Sequence, residues 1–296
     1  MIYNLGSLNI DYVYNVSHFP GPGETIAANS FNSGLGGKGA NQSVAASQAG
    51  ARVMHLGAVG PERGYELIAQ IADYDVDTSG ILRTNHPTGH AIINVDADAE
   101  NAIVIYPGAN VHQDVGFIDD CLGDAESSDT LMLQNETSKQ VHAARVAHAK
   151  GMRVVYSAAP FEMSAVQDIL PYVTVLAVNE IEAAQIGNAM GRSVQSLPVP
   201  YILMTQGSHG ATWIDTKSGT QVQVPAFKVK PVDTTGAGDT FVGYVAAGLD
   251  LEQDINTVMK RAAAAAALQV TRQGAAEAIP NAEEVSEFLE TRADFL

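Results

Sequence analysis

The chain has 296 residues, 46% of them hydrophobic, so it can bury a substantial core as one large α/β domain or two of about 150 residues. Its 16 Lys and Arg against 33 Asp and Glu give a formal net charge of −17, which leaves no general field to attract nucleic acid or an anionic membrane. The lone Cys121 cannot form an internal disulfide, and the sequence lacks a signal-peptide pattern and an apolar run of membrane-spanning length, so a cytoplasmic protein is predicted.

Short apolar segments alternate with helical patterns along most of the chain. The segment SKQVHAARVAHAKG has apolar residues at helical spacing from Val141 to Ala147 and a stop at Gly151. Such alternation indicates βαβ units around a mostly parallel sheet. The predicted strands are IYNLG, RVMHLGAV, TLMLQ, MRVVYS, VTVLAV and YILMTQ.

Two segments depart from this alternation. GHAIINVDADAENAIVIYPGAN consists of two alternating stretches around a polar turn, which predicts an antiparallel hairpin. With the extended region near Tyr12–Phe31, this hairpin could form a small separate sheet, a lid made of about residues 11–32 and 88–108. No linker rich in Pro, Gly or Ser divides the chain, so residues 1–296 are predicted to form a single domain.

The stretch DTTGAGDTF lies between two predicted elements. FKVKPV, before it, alternates like a strand, and FVGYVAAGL, after it, has Phe241, Val245 and Leu249 on one helical stripe. A strand-to-helix turn presents helical N–H groups without partners, and an anion could sit directly on them because this turn carries almost no side chains. The residues of the turn are Gly236, Ala237 and Gly238.

Asp239 directly follows this turn, where a carboxylate beside a bound phosphate would be electrostatically unfavourable. Removal of a proton from a hydroxyl that attacks phosphorus would explain its presence, since phosphoryl transfer needs both charge stabilisation and a base. On the residues alone a second interpretation stays open, in which Asp239 caps a helix and the glycines only make a tight turn.

Other motifs carry less weight. GLGGKG matches the dinucleotide pattern G-x-G-x-x-G, but a weak strand precedes it and no acid follows at the expected place; its lysine is followed by glycine, so the P-loop pattern fails as well. His86 and His90 are separated by a proline and a glycine and cannot share a helix face as zinc ligands. The alanines of RAAAAAALQV predict either tight helix packing or a smooth wall beside a flat ligand.

Two segments together resemble the signatures of the ribokinase-like, or PfkB, carbohydrate kinases. They are GLGGKGANQSVAASQAGARVMHLGAVG (34–60) and DTTGAGDTFVGYVAAGL (233–249), and the similarity covers almost the whole chain. The resemblance implies a three-layer α/β/α fold with a mostly parallel central sheet and a small β-sheet lid. It also implies a kinase that uses ATP and Mg²⁺ to phosphorylate a sugar. Because GGKGANQ most resembles the ribokinases of the family, D-ribose is the first choice of acceptor.

The resemblance also implies roles for matching residues. Asp239 would be the general base, the turn before it would hold the transferred phosphoryl group, and Glu182 would position Mg²⁺ through water. Sugar contacts would come from Asn9, Asp11, Gly37, Lys38, Asn41, Glu136 and Asp239. Nucleotide contacts would come from Asn179, Thr205, Gln206, Gly207, Ser208, His209, Gly210 and Gly238.

A monovalent-cation site, expected to take K⁺, is implied as well. Its ligands would be mostly main-chain oxygens, and an alanine stands where ribokinases often have a serine hydroxyl. The matching residues are Asp233, Thr235, Gln269, Arg272, Gly274 and Ala278.

Several alternatives stay open at the level of sequence. One is a kinase of another small substrate, such as fructose, a sugar phosphate, 2-keto-3-deoxygluconate or a nucleoside. Another is a sugar-binding sensor without turnover. The exposed edges and apolar face of a lid sheet favour pairing with a second lid, so a homodimer is predicted.

Overall fold

The computed structural model describes residues 1–98 and 100–292. The strands, in chain order, are β1 (Ile2–Leu5), β2 (Asn9–Asn15), β3 (Ser30–Gly36), β4 (Val53–Val59), β5 (Ile81–Arg83), β6 (Gly89–Val95), β7 (Asn101–Tyr106), β8 (Thr130–Gln134), β9 (Arg153–Ser157), β10 (Val175–Asn179), β11 (Tyr201–Thr205), β12 (Ala211–Asp215) and β13 (Gln221–Val224). The α-helices are α1 (Lys38–Gln48), α2 (Gly64–Ala72), α3 (Val115–Cys121), α4 (Gln140–Ala149), α5 (Met163–Ile169), α6 (Glu180–Met190), α7 (Ala237–Asp250), α8 (Ile255–Gln269) and α9 (Ala282–Glu290).

The larger sheet of the described residues has nine strands in the order β13-β12-β11-β10-β9-β8-β1-β4-β5. Neighbours from β11 to β5 pair in parallel, while β12 and β13 add an antiparallel edge. Helices cover both faces: α1, α2, α7, α8 and α9 pack on one side, and α3 to α6 pack on the other. The predicted three-layer α/β/α fold with a mostly parallel sheet is confirmed.

Each face of this sheet has its own apolar core, because successive side chains of a strand point to opposite faces. In β8, Met132 belongs to one core, and Leu131 and Leu133 belong to the other. All three are fully buried, and burying one such side chain stabilises the fold by about 1.5–3 kcal/mol. Burial on both faces explains why these strands are continuous apolar runs in the sequence.

The predicted elements of this domain form, with two differences. Strands occur at all six predicted apolar runs, and α4 occurs where the helical pattern lies, although Val141 is exposed and the buried face consists of Ala143, Ala144 and Ala147. The strand predicted at FKVKPV is wrong: this segment lies outside the strands of the described chain. Its alternation reflects burial of Phe227 against Phe288 of α9.

The second sheet has four strands in the order β3-β2-β6-β7. β6 and β7 form the predicted antiparallel hairpin, β2 and β3 form a second antiparallel pair, and a parallel contact between β2 and β6 joins them. In the first segment the strands begin at Asn9 and end at Gly36, outside the bounds expected from the sequence. Because β2 follows β1 closely in the chain, the small sheet extends directly from the carboxyl end of a central strand.

None of the helices in the described part of the chain has the length and hydropathy that a membrane span requires.

Candidate active site

The turn before α7 opens on a cavity of about 160 Å³. Gly236 has a φ of 76°, a left-handed conformation that favours glycine, and α7 begins at the next residue. Ser157, Asn179 and Thr205, the last residues of β9, β10 and β11, also line the cavity. The bare helix start therefore faces the carboxyl ends of parallel strands, where ligands of such sheets bind.

Three charged side chains line the same cavity: Lys38, Glu182 and Asp239. Asp239, followed by Glu136 and Glu182, raises the pKa of Lys38, while burial opposes that change. Burial raises the pKa of Glu182, and the N–H of Asn179 and the charge of Lys38 partly offset it. A cation between carboxylates, beside N–H groups at a helix start, is an arrangement that can bind and polarise a phosphate.

The carboxylate of Asp239 is held by the neighbouring helix α1. Gln42 donates from Nε2 to Oδ1 at 2.9 Å, and Asn41 donates from Nδ2 to Oδ2 at 3.4 Å. The two helices approach this closely because Gly243 has no side chain: a Cβ there would lie 2.5 Å from Cβ of Ala45. α7 has no side-chain cap among the described residues, so the structure does not support the interpretation of Asp239 as a helix cap.

The residues predicted to contact a sugar lie where the two sheets meet. Glu136 accepts a hydrogen bond from Ser7 Oγ at 2.5 Å and another from the Lys38 N–H at 3.1 Å. Asn110 donates to Oδ1 of Asn9 at 2.7 Å. The two Glu136 bonds fasten the segment before β2 and the start of α1 to the loop after β8. The Asn110 bond fastens the start of β2 to the segment after β7, so polar groups from four segments converge on one place.

Asp11 adds a half-buried carboxylate to this group. Burial, followed by the carboxylates of Glu136 and Glu277, raises the pKa of Asp11 to about 7. Its carboxylate lies against Gly36, where an added Cβ would come within 2.1 Å of it. Gly37, at a φ of 98°, is the N-cap residue directly before α1. The two consecutive glycines thus make room for the acid and for the helix start.

Asn179 and Glu182 also form a capping box at the start of α6. Asn179 Oδ1 accepts from the Glu182 N–H at 2.8 Å, and Glu182 Oε2 accepts from the Asn179 N–H at 2.9 Å. Such reciprocal bonds fix a helix start and the side chains that form them. The N-x-x-E pattern therefore fixes Glu182 at the edge of the cavity.

A larger cleft of about 480 Å³ adjoins this cavity and shares Gly238 with it. Phe227 and Val229 form one side, and Ala263 and Ala266 of α8 form another. The alanine run thus serves tight packing and also provides a smooth apolar wall, as the sequence suggested. A cleft with apolar walls and a polar mouth suits a flat aromatic group.

The loop predicted to contact a nucleotide meets this cleft with four of its six residues, which are Thr205, Gly207, Ser208 and Gly210. In the described part of the chain, Gln206 and His209 are not among the residues that line the cleft. The amide of Gln206 donates to Glu180 Oε1 at 3.3 Å and accepts from Thr212 Oγ1 at 3.1 Å. Its side chain is therefore committed to the neighbouring strand and helix.

Four of the residues predicted for a monovalent-cation site come together behind the turn. Asp233 accepts from the Thr235 N–H at 2.9 Å and from the Gly274 N–H at 3.1 Å. Gln269 is fully buried and donates from Nε2 to Thr235 O at 2.9 Å. Its Oε1 has no hydrogen-bond partner among the described residues. Buried oxygen without a partner is chemically suited to a cation or to a water molecule.

The other two residues of that set can contribute main-chain oxygens only. The guanidinium of Arg272 pairs with Glu284 of α9, at 2.5 Å from Nη2 to Oε1. Ala278 is buried and has no hydroxyl group.

Two residues near Asp239 were not predicted from the sequence: Gln42, which contacts its carboxylate, and Gln134, which contacts Gln42. Gln42 and Gln134 are fully buried, and Gln134 Nε2 donates to Gln42 Oε1 at 2.7 Å. A signal was available: Asn41, Gln42 and Ser43 are three successive polar residues in a helix of otherwise mostly small side chains.

The two histidines weighed as zinc ligands have different partners. The His86 ring stacks on His112 with 3.4 Å between ring centroids, and the His90 ring lies against Tyr106. Among residues 1–98 and 100–292, no group of three His, Cys, Asp or Glu side chains is arranged to hold a metal ion.

A sheet covered by helices on both faces, a small second sheet beside it, and a bare helix start next to a carboxylate define a small-molecule kinase. The model of the pfkB family carbohydrate kinases matches residues 1–282. The chain belongs to this family and is a sugar kinase, a phosphotransferase that binds ATP.

Its relatives include proteins with two named acceptors. The ribokinase of Haemophilus influenzae is 33% identical, with 97% of each chain covered. The deoxyribokinase of Salmonella typhimurium is 31% identical, with 96% of this chain and 97% of that protein covered.

Solved structures of ribokinases are similar over almost the full length. The ribokinase of Thermotoga maritima has a TM-score of 0.87 at 33% identity and covers 98% of this chain and 99% of its own. The Arabidopsis thaliana ribokinase, complexed with ribose and ATP, has a TM-score of 0.82 at 25% identity, with 98% of each chain covered.

Proposed function

We propose that the protein transfers the γ-phosphoryl group of ATP to D-ribose and forms D-ribose 5-phosphate. The observation that carries this proposal is that Asp239, Lys38 and the bare start of α7 line one cavity next to the polar groups around Asp11. The ribokinase relatives support ribose as the acceptor.

In this mechanism Asp239 removes a proton from the sugar hydroxyl as that oxygen attacks the γ-phosphorus. The N–H groups of the turn then take up the charge that develops on the transferred group, a contribution that preorganised donors make most effectively in a water-poor site. Lys38 adds a positive charge on the same side. The residues of the turn are Gly236, Ala237 and Gly238.

The sugar is held by short acids and amides, which can accept from and donate to neutral hydroxyl groups. Glu136 and Asp11 act as acceptors, and Lys38 also contributes to this pocket. The remaining residues proposed to contact the sugar are Asn9, Gly37 and Asn41. Closure of the small sheet over the sugar would exclude water, which otherwise competes as acceptor.

The cleft beside the cavity receives the nucleotide. Its apolar walls at Phe227 and Ala263 suit the adenine ring, and Gly238 lies where the cleft meets the phosphate-holding turn. The other proposed nucleotide contacts are Asn179, Thr205, Gln206, Gly207, Ser208, His209 and Gly210. Gln206 and His209 are not among the residues that line this cleft in the described part of the chain, so the cleft supports the other contacts of the loop and not these two.

Mg²⁺ is proposed to be held through water by Glu182. The donor set fits, since Glu182 places a carboxylate in a small cavity beside a helix start, and Mg²⁺ usually keeps several waters. When bound, the ion neutralises negative charge on the phosphate oxygens.

K⁺ is proposed to bind behind the turn. The unpartnered Oε1 of Gln269 and the carboxylate of Asp233 are oxygen donors of the required kind. Main-chain oxygens of Thr235, Gly274, Gln269, Arg272 and Ala278 would complete the site. The ion would steady the segment from which α7 begins.

A second candidate acceptor is 2-deoxyribose, which the Salmonella relative favours. Sugar phosphates and 2-keto-3-deoxygluconate fit less well, because the carboxylates of Asp11, Glu136 and Glu277 lie close enough together to raise the pKa of Asp11. A negatively charged acceptor would meet like charges there.

Steady-state kinetics with a panel of acceptors test the proposal. With Mg²⁺-ATP and K⁺, we expect ribose to have the highest kcat/KM. We expect 2-deoxyribose to be lower by about tenfold or more, since a site built to bond a hydroxyl rejects an acceptor that lacks it. Fructose, 2-keto-3-deoxygluconate and adenosine should also be lower, because they differ from ribose in size or charge. Omitting Mg²⁺ should abolish turnover, and replacing K⁺ with tetramethylammonium should lower it. Turnover of adenosine alone would exclude ribose as the physiological acceptor.

The protein is proposed to form a homodimer through the small sheet. β7 is one of the two edge strands of this sheet, and the exposed fractions of Val104 and Ile92, which are paired across β7 and β6, are 66% and 40%. Light scattering should therefore give about twice the 31.1 kDa mass of one chain. Val104→Lys should yield a monomer, whereas Val141→Lys, at an exposed apolar position on α4, should not. A monomeric wild-type protein at micromolar concentration would contradict the dimer.

A further inference from the structure

Gln42 makes the shortest contact between α1 and the carboxylate of Asp239. It is fully buried, and its Nε2 lies 2.9 Å from Oδ1. The other contact, from Asn41 Nδ2 to Oδ2, is 3.4 Å, at the long end of the hydrogen-bond range. One oxygen of the carboxylate is thus held firmly and the other only weakly.

A series of buried amides sets the orientation of the Gln42 amide. The main-chain oxygen of Gly39 can only accept, so Asn4 presents Nδ2 to it at 2.8 Å and turns Oδ1 towards Gln134. Gln134 must then donate from Nε2, at 2.9 Å to Asn4 and at 2.7 Å to Oε1 of Gln42. The amide of Gln42 therefore presents Nε2 to Asp239. A flipped amide would place Oε1 against the carboxylate, and both of these groups are acceptors.

We propose that Gln42 is a positioning residue for phosphoryl transfer, which holds Oδ1 of Asp239 so that Oδ2 receives the proton of the sugar hydroxyl. This inference rests on the proposed function of Asp239 as the base. In the step, the hydroxyl oxygen bonds to the γ-phosphorus, the bond from that phosphorus to the ADP oxygen breaks, and the hydroxyl proton moves to Oδ2.

The physical reason lies in the alignment that the step requires. A carboxylate without the Gln42 bond could rotate about its last side-chain torsion and present either oxygen at various angles. Proton transfer and attack need near-correct geometry, and small misplacements of a reacting group cost up to about 100-fold in rate. The buried amide series removes this freedom before substrate binds.

Gln42→Met tests the proposal, because methionine has a similar shape and lacks both hydrogen-bond groups. We expect kcat to fall by about 10- to 100-fold while KM for ribose and for ATP stays within about twofold, since Gln42 contacts the base and is not proposed to contact substrate. Calorimetric titration of ribose should give an unchanged dissociation constant. A kcat close to that of the wild type would overturn the proposal.

Two further variants separate positioning from a general effect on folding. Gln134→Met removes the hydrogen bond to Oε1 of Gln42 and leaves the contacts of Asp239 in place, so we expect a smaller decrease in kcat and an unchanged KM. This variant also tests the proposal if Gln42→Met does not fold. Ser47→Ala is the matched control. Ser47 lies on the same helix as Gln42, and its Oγ donates to the main-chain oxygen of Tyr74 at 2.8 Å, outside the amide series. Its kcat should be unchanged.

A double-mutant cycle distinguishes failure of this inference from failure of the proposed function. Combined with Asp239→Asn, Gln42→Met should cause no further loss of residual turnover, because it acts through the carboxylate. Multiplicative losses would show that Gln42 acts elsewhere. If Asp239→Asn alone retains turnover, the base assignment itself fails, whatever Gln42→Met does.

Discussion

Asp239→Asn is expected to lower kcat by about 10³-fold, within the range that general bases contribute, because the amide cannot take the hydroxyl proton. Asparagine has nearly the same shape as aspartate. Its side-chain oxygen can still accept from Gln42 Nε2, which lies 2.9 Å from Oδ1 of Asp239 in the wild-type protein. Ribose binding should therefore be preserved. Discontinuous assays of ribose phosphorylation measure kcat, and calorimetric titration measures the dissociation constant for ribose.

Asp73→Asn is a suitable control for this experiment, since Asp73 is an exposed acid at the end of α2. It should leave kcat and ribose binding unchanged. If Asp239→Asn kept more than about a tenth of wild-type turnover, a role as general base would be excluded. Equal losses of turnover and of ribose binding would instead indicate that Asp239 mainly holds the substrate.

Asp11→Asn is expected to make the protein more stable at neutral pH and to weaken ribose binding. Burial raises the pKa of Asp11 to about 7, so ionisation of this acid opposes folding. The shift, from 3.8, corresponds to at most about 4 kcal/mol at 1.36 kcal/mol per unit, and we expect about 2–4 kcal/mol. Loss of a charged acceptor for sugar hydroxyls should weaken binding by about 10- to 100-fold.

The pH dependence provides the check. The folded protein binds the proton of the Asp11 carboxyl group more tightly than the unfolded chain does. The destabilisation caused by ionised Asp11 is therefore absent below about pH 4, grows as the pH rises towards 7 and is complete above it. Urea unfolding of both proteins between pH 4 and 8 should show the difference in the free energy of unfolding rising over that range. With Asp168→Asn, at an exposed position on α5, the difference should be small at every pH. A pH-independent difference for Asp11→Asn would contradict its raised pKa.

The core strands could be predicted because they are buried on both faces and so appear as unbroken apolar runs. The segment FKVKPV has the alternation of a strand but is not part of a strand in the described chain, and alternation alone does not show whether a segment will join a sheet. Three strands of the larger sheet were missed. β5 and β13 are edges with few buried side chains, whereas β12 was missed although four of its five residues are buried.

Lys38, Glu182 and Asp239, which line one cavity, could be named from the sequence because each belongs to a short motif with its own chemistry, and their roles stay predictions. Gln42 and Gln134 were not named, although Gln42 lies in a run of three polar residues of α1, because a buried amide is explained only by its partners. Those partners, Asp239 for Gln42 and Gln42 for Gln134, are 197 and 92 residues away in the chain. The ion pair between Arg272 and Glu284 is likewise visible only in the fold.

The contact between α1 and α7 at Gly243 has a consequence for how the protein tolerates mutation. A methyl group at Gly243 would lie 2.8 Å from the main-chain oxygen of Gln42 as well as 2.5 Å from Ala45, so the helices would have to separate. Asp239 would move with α7 while Gln42 stayed with α1. Substitution of Gly243 should therefore lower activity, although this buried glycine does not itself line the cavity of the described chain.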